Sequence, residues 1–521
     1  MADNRYPKLT WQQTRLGHWE REIDEAECFY TCLAKSFEGC GRMYFAITGF
    51  ASITVEVTES SHEETGRKVE EALREAWLRL RYDHPTIVSQ VMYDHQQEKW
   101  TKSYVPFHPN TVEVQTEEWL RQTYITVDPG MSGIEWCNTD PPAPEVPTLF
   151  VIASSDTNIS RENVIRRDLV LRSPHDIMDG IGTLQILNAL LTHAAQAYED
   201  SSAWKLPLPG SEVTKLGPPL RVAADIPPIL TLEQQERLQN LIASNAALRE
   251  NVEILTVPFR QGPLNPGKHQ RVALELSSSD TKRILEASKG LGTTITHIYH
   301  AAIAIGIRDL QKPGLVKRSA RYINYSLVNE RPKCTADYAT PKHAAAVYHS
   351  VSGNSLVLDL MIPSITDNEH EDHELQEEFH SLVTQVKSYY HTIRDSPDNL
   401  HLAPAFWSMG TPHISNPAST SPRPIPAPNP LPSVSISSMG VVDKIISPQQ
   451  GVFKVSSPWV TGEELGTGLG VFLGTWEGKL GLSAAYNDAW HGKEEVENFL
   501  KHIQGVVWRG LGLGDCDMSG T

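Results

Sequence analysis

The sequence predicts an α/β (α+β) fold built as two large halves around one cleft. Strand-type and helix-type patterns alternate through the first 200 residues, a proline-rich stretch without periodicity follows, and sheet and helix patterns resume after it. A chain of 521 residues is too long for one ordinary core. These shifts place an N-terminal half at 1–200, a crossover linker at 201–250 and a C-terminal half at 251–521.

The elements follow in order. Residues 23–37 read as a helix, 43–57 as a strand, and 62–80 as an amphipathic helix with Val69, Leu73, Trp77 and Leu80 on one face. Segments 86–94 and 102–105 read as strands, 117–123 as a short helix and 148–154 as a buried strand. Pro207, Pro209, Pro218, Pro219, Pro227 and Pro228 then interrupt all periodicity. A helix is expected at 232–249, and 277–309 reads as two helices parted by Gly290 and Gly292. A strand at 320–331 ends in polar residues, and inserted loops are expected near 366–378, an acidic run, and 411–432, a proline-rich one. Strands at 433–436, 451–455, 469–475 and 479–486 and a helix at 493–508 close the chain.

Composition narrows the function. Hydrophobic residues at 40% and charged residues at 21% fit a globular protein, and no run reaches the roughly eighteen apolar residues of a membrane span. The N-terminus is polar, so a cytoplasmic protein is expected, and it is expected to work as a monomer. A net charge of −17 argues against a general nucleic-acid binder. Cys28, Cys32, Cys40, Cys137, Cys334 and Cys516 are scattered without zinc-ligand spacing, so they read as reduced packing residues and no metal is expected.

One stretch carries chemistry. After the apolar run 168–172, His175, Asp179 and Gly180 stand at the spacing His-x-x-x-Asp-Gly ahead of a helix with Leu184, Leu187, Leu190, Leu191 and Ala194 on one face. Ser173 and Pro174 impose an extended approach, and Gly180 permits a positive φ or a close backbone approach as the turn enters the helix. This holds an imidazole at a sheet edge, where a pKa near 6.5 lets it take up and return a proton near neutral pH. An incidental histidine in a surface turn is the bland alternative. Other motifs fail: Gly466, Gly468 and Gly470 read as a hairpin and not a dinucleotide loop, and His370 and His373 read as solvated loop residues. No Gly-x-Ser-x-Gly elbow is present.

The order of these parts, with ASKGLGTTITHIYHAAIA (287–304) and the strand end Asn329, Glu330, Arg331, resembles the chloramphenicol acetyltransferase-like superfamily, which includes plant BAHD acyltransferases and condensation domains. The segments 437–443 (SSMGVVD) and 485–491 (AYNDAWH) look most like its fungal branch, typified by trichothecene 15-O-acetyltransferases. The resemblance spans about Trp11 to Trp508. It implies two similar domains with mixed sheets, flanking helices and an active-site channel between them. Pro174 stands where condensation domains usually carry another histidine, which tilts the expectation towards free acyl-CoA, with acetyl-CoA as donor co-substrate. The plant Asp-Phe-Gly-Trp-Gly signature is absent, so plant acceptor rules do not transfer.

The function expected is O-acyl transfer to a hydroxyl of a small secondary metabolite, trichothecene-like or polyketide-like, with His175 as general base and no covalent acyl-enzyme. Ser437, Ser438 and backbone amides near Gly440 are candidate oxyanion donors, although a plain serine-rich turn explains them as well. By resemblance Asp179 turns from substrate and pairs with an arginine, Arg331 first and Arg172 second. Asn487 is a tentative substrate contact, and Tyr486 and His491 are channel or core residues. The loops at 366 and 411 are where acceptor contacts are sought. A carrier-protein thioester as donor, and a fold relative that only binds a small molecule, are the competing readings.

Overall fold

The computed structural model describes residues 5–41, 45–57, 61–128, 130–153, 163–366, 372–415, 417, 419 and 423–514. A six-stranded sheet organises the N-terminal half, in the order Gln449–Gln450, Phe453–Gly462, Ala46–Glu56, Val164–Pro174, Thr148–Ile152, Tyr124–Val127. The central pair is antiparallel over eleven residues, from Ala46 opposite Pro174 to Glu56 opposite Val164. Seven consecutive residues of Val164–Pro174, from Asp168 to Pro174, are buried, so the strand is covered on both faces and delivers His175 to the interior.

Helices His62–Asp83 and Gly180–Glu199 cover one face of this sheet. Ser61 caps the first by accepting from the Glu64 amide, and Val69, Leu73 and Leu80 are fully buried at helical spacing. Leu184, Leu187, Leu190 and Leu191 bury the facing stripe of the second, each contributing roughly 1.5–3 kcal/mol of transfer free energy.

The C-terminal half is built on the sheet His269–Glu275, Lys479–Asn487, Leu469–Trp476, Val434–Val441. Helices Ile295–Asp309, Asp372–Asp395 and Lys493–Gly510 pack together over it, around Tyr299, Phe379 and Trp508. A smaller sheet of Leu356–Ile362, Arg318–Asn324 and Glu253–Ile254 completes this half.

Several elements differ from the sequence reading. The acidic run expected as a loop is helical from Asp372, because Leu375, Phe379, Leu382, Val383 and Val386 bury one face beneath the charges; 367–371 lie outside the described residues. Pro85 opens a 3₁₀ turn, Pro85–Val88, so the strand expected from 86 begins at Gln90. The strand expected at 320–331 is two, Arg318–Asn324 and Leu327–Asn329, and Pro332 turns the chain into a 3₁₀ segment. The glycines near 466 form no hairpin: the strands before and after them lie in different sheets, so this is a crossover. Helix Asn399–Gly410, with Pro404 inside it, had no counterpart in the sequence reading.

Candidate active site

The strand Val164–Pro174 ends where its partner begins, and the His175 amide donates to the Phe45 carbonyl at 2.9 Å. Asp179 is the N-cap of the next helix: its Oδ1 accepts from the Gly182 amide at 2.8 Å. Its other oxygen accepts from Arg331 Nη1 at 2.7 Å and from the Tyr348 amide at 2.8 Å. The Asp179 carboxylate is therefore spent on structure, in a pair whose members are each about 4% exposed. Burial pushes this carboxyl up, and Arg331, His349 and the Gly182 amide together outweigh it and hold the carboxyl below the usual range. Arg172, the second expected partner, instead donates to the Pro141 and Pro142 carbonyls.

Gly180 has no positive φ, and a Cβ there would meet Val460 at 3.5 Å, an ordinary contact. The tight position is Gly182, where a Cβ would stand 2.1 Å from the Ala344 carbonyl oxygen and 2.9 Å from Arg331 Nη2. Close approach is thus needed two residues later than expected, where the helix meets the second half.

His175 lines a cavity of about 1370 Å³ that takes walls from both halves. Burial, then repulsion from His349, pushes its pKa down to about 3, so the imidazole is neutral at physiological pH. Tyr30 lies flat against it, centroids 3.8 Å apart and planes 4° apart. The Tyr30 hydroxyl and His349 Nε2 share a hydrogen bond at 3.0 Å, and Trp407 packs edge-on against His349 at 5.2 Å.

Beneath the turn lies a buried charge cluster. Lys102 Nζ donates to the Asp176 carbonyl at 2.7 Å and to Glu27 Oε1 at 2.5 Å, Arg21 grips both Glu27 oxygens, and Thr31 donates to Asp176 Oδ2 at 2.8 Å. Neither this cluster nor Tyr30 and His349 was found from sequence. They come from segments with no motif of their own.

Ser437 and Ser438 face the same cavity from Val434–Val441, where a bulge between Ser438 and Gly440, with Gly440 at φ +67°, breaks the register with Leu469–Trp476. Ser438 Oγ accepts from Thr296 Oγ1 at 3.0 Å, which leaves its own proton free to donate. Asn487 is not among the lining residues: it is fully buried and binds the Gly267 and Ala489 amides and the Gly267 and Glu464 carbonyls, bracing a turn. Tyr486 belongs to the core, and His491 Nε2 contacts the Thr467 carbonyl at 2.8 Å. Described residues of the two expected insertions do not line the cavity; His373 faces Glu377 on the long helix, and His370 lies outside the described residues. Glu464, unremarked in the sequence, does line it, with burial raising its carboxyl to about 6.

Among the described residues, no group of three or more His, Cys, Asp or Glu is placed to hold a metal, and no helix is long and apolar enough to cross a membrane. Cys516 lies outside the described residues; the other five cysteines are free.

No protein-family model matches the chain. It is 24% identical over 514 residues to acetyltransferase pigO of Monascus ruber, covering 97% of this chain and 99% of that protein. It is 23% identical over 465 residues to trichothecene 15-O-acetyltransferase TRI3 of Fusarium sporotrichioides, covering 84% and 85%. The solved structure of TRI3 superposes with a TM-score of 0.77 at 19% identity over 97% of this chain and 99% of that one. The first condensation domain of the CDA synthetase superposes at 0.59, with 12% identity over 94% and 96%. The chain therefore has the fold of these acetyltransferase and condensation-domain structures, and it is similar along most of its length to proteins named acetyltransferases.

Proposed function

We propose that the chain is an O-acyltransferase that moves an acyl group, most simply acetyl, from acyl-CoA to a hydroxyl of a secondary metabolite. The observation that carries this reading is a neutral, buried His175 on a cavity walled by both halves, with Asp179 turned into Arg331 behind it. The similarity to proteins named acetyltransferases supports it.

The chemistry needs no enzyme nucleophile. His175 Nε2 accepts the hydroxyl proton as the oxygen attacks the thioester carbonyl. The carbonyl electrons move onto oxygen, where the Ser438 hydroxyl donates. Collapse breaks the C–S bond, and His175 returns the proton to the leaving thiolate, giving ester and free CoA. Exposed Arg249 lines the cavity, and Lys387 and His391 stand near the lining His297, which suits the anionic end of CoA.

The test is thiol release from acetyl-CoA with a panel of alcohols, for wild type and His175→Ala. Release that falls by roughly 10²- to 10⁴-fold in the variant supports the reading. No release from free acetyl-CoA, with transfer from an acyl-pantetheine carrier protein, moves the donor to a carrier. No transfer from either leaves a small-molecule binder.

A further inference from the structure

The two sides of the cavity differ in chemistry. Towards the bulged strand it is lined by Thr294, Thr296, His297, Ser437 and Ser438, a run of hydrogen-bonding groups. Towards helices Glu25–Ser36 and Asn399–Gly410 it is lined by Phe29, Leu33, Phe37, Phe45, Phe406 and Met409, and the Glu463 carboxylate beside Phe45 is held by the Ala46 amide.

Aromatic rings on the apolar side pack around the histidine. Tyr30 and His175 are parallel within 4°, and Phe45 lies within 28° of both, its centroid 6.0 Å from each. Phe29 sits 4.9 Å from Trp407, itself 5.8 Å from Tyr30. Phe29, Phe45 and Phe406 remain partly exposed, so they offer surface to a ligand, whereas Tyr30 and Trp407, which also line the cavity, are buried.

We propose that the acceptor is a planar aromatic or conjugated alcohol, its ring held by Phe29, Phe45 and Phe406 with the hydroxyl at His175. This rests on the acyl-transfer reading and narrows it. A flat π-system gains from each ring it meets, while a saturated polycycle of equal size gains only from burial. A highly hydroxylated acceptor would leave its polar groups unpaired against this wall.

The experiment uses the intact chain with 2-naphthalenemethanol and its fully saturated decahydro counterpart. Binding of each is measured by calorimetry, and acetylation of each by thiol release from acetyl-CoA. The planar alcohol is expected to bind about tenfold more tightly and to show a kcat/KM higher by a similar factor. Phe29→Leu and Phe406→Leu, which keep an apolar wall, are each expected to reduce that preference. Equal binding of the two alcohols by wild type overturns the proposal, as does a preference unchanged in both variants. Planar preference in binding without thiol release from any alcohol would sink the acyl-transfer reading and leave aromatic recognition standing. Faster acetylation of the saturated alcohol would do the reverse.

Discussion

At the scale of residues, the proposed base His175 stands apart from the groups that hold its turn in place. The Asp179–Arg331 pair is buried on both sides, so removing one partner strands the other without solvent. Asp179→Asn is expected to destabilise the protein by about 3–5 kcal/mol in urea titrations, and Asp179→Asn with Arg331→Gln by less than the two single changes added. Strict additivity would mean that the pair is not coupled. Ser438 makes a different prediction, since its proton is free and its loss strands no buried charge. Ser438→Ala should leave the urea midpoint unchanged while kcat drops by roughly 10²-fold; a change in KM alone would remove it from the oxyanion role. Titration divides the same way. His175 is neutral well below pH 6, so it sets no inflection between pH 5 and 8 in kcat/KM. Glu464, lifted by burial to about 6, ionises inside that window on the cavity wall. Any inflection near pH 6 should vanish in Glu464→Gln, and its persistence there would assign it elsewhere.

At the scale of elements, the motif helix is fixed by one contact with the second half. Gly182→Ala would push a methyl into the Ala344 carbonyl and Arg331, and backbone cannot give way as a side-chain tip can. It should cost about 1–3 kcal/mol in thermal or urea unfolding, whereas Gly180→Ala, with only ordinary contacts, should stay within about 1 kcal/mol of wild type. The reverse order would show that the strain lies at the turn. This is also where sequence reading reached its limit. Spacing and apolar periodicity placed His175 on its strand-to-helix turn and gave the helix behind it and His62–Asp83, because those signals are local. They set the glycine constraint at Gly180 because its source, the end of the 3₁₀ segment Pro341–His343 in the other half, is remote. The helix Asp372–Asp395 kept its apolar stripe in the sequence, but dense charge on the other face read as a loop. Tyr30 and His349 meet across 319 residues of chain, and no pattern in either segment encodes that contact. Asn487 stood in a family-like stretch and was given a role by position, yet its polar atoms are consumed by the backbone of Gly267, Glu464 and Ala489.

At the scale of the molecule, Phe453–Gly462 pairs with Ala46–Glu56 and so stitches the C-terminal half into the N-terminal sheet, which makes buried ionisable groups in both halves report on one stability. Burial holds His84 and His297 at about 4 and His175 and His300 at about 3. In the unfolded chain the same groups take a proton near 6.5, so between about 6.5 and 4 the unfolded state binds more protons and stability falls with falling pH. Asp24 and Glu464 act oppositely: raised to about 7 and 6, they hold protons in the folded state that the unfolded chain has released, and gain stability as pH falls. Four histidines against two carboxyls leave about two excess protons on the unfolded chain, a slope of about 3 kcal/mol per pH unit near pH 5. His349, also held below its ordinary value, adds to the same side. The urea midpoint should therefore decline steadily from pH 6.5 to 5 at constant ionic strength, and a flat or rising midpoint would contradict this. His300 provides the control, since it lies between the Tyr322 and Tyr390 hydroxyls, away from the reacting residues. His300→Gln keeps a polar partner for those hydroxyls but has no proton to gain, so its midpoint should fall less steeply on acidification than that of wild type.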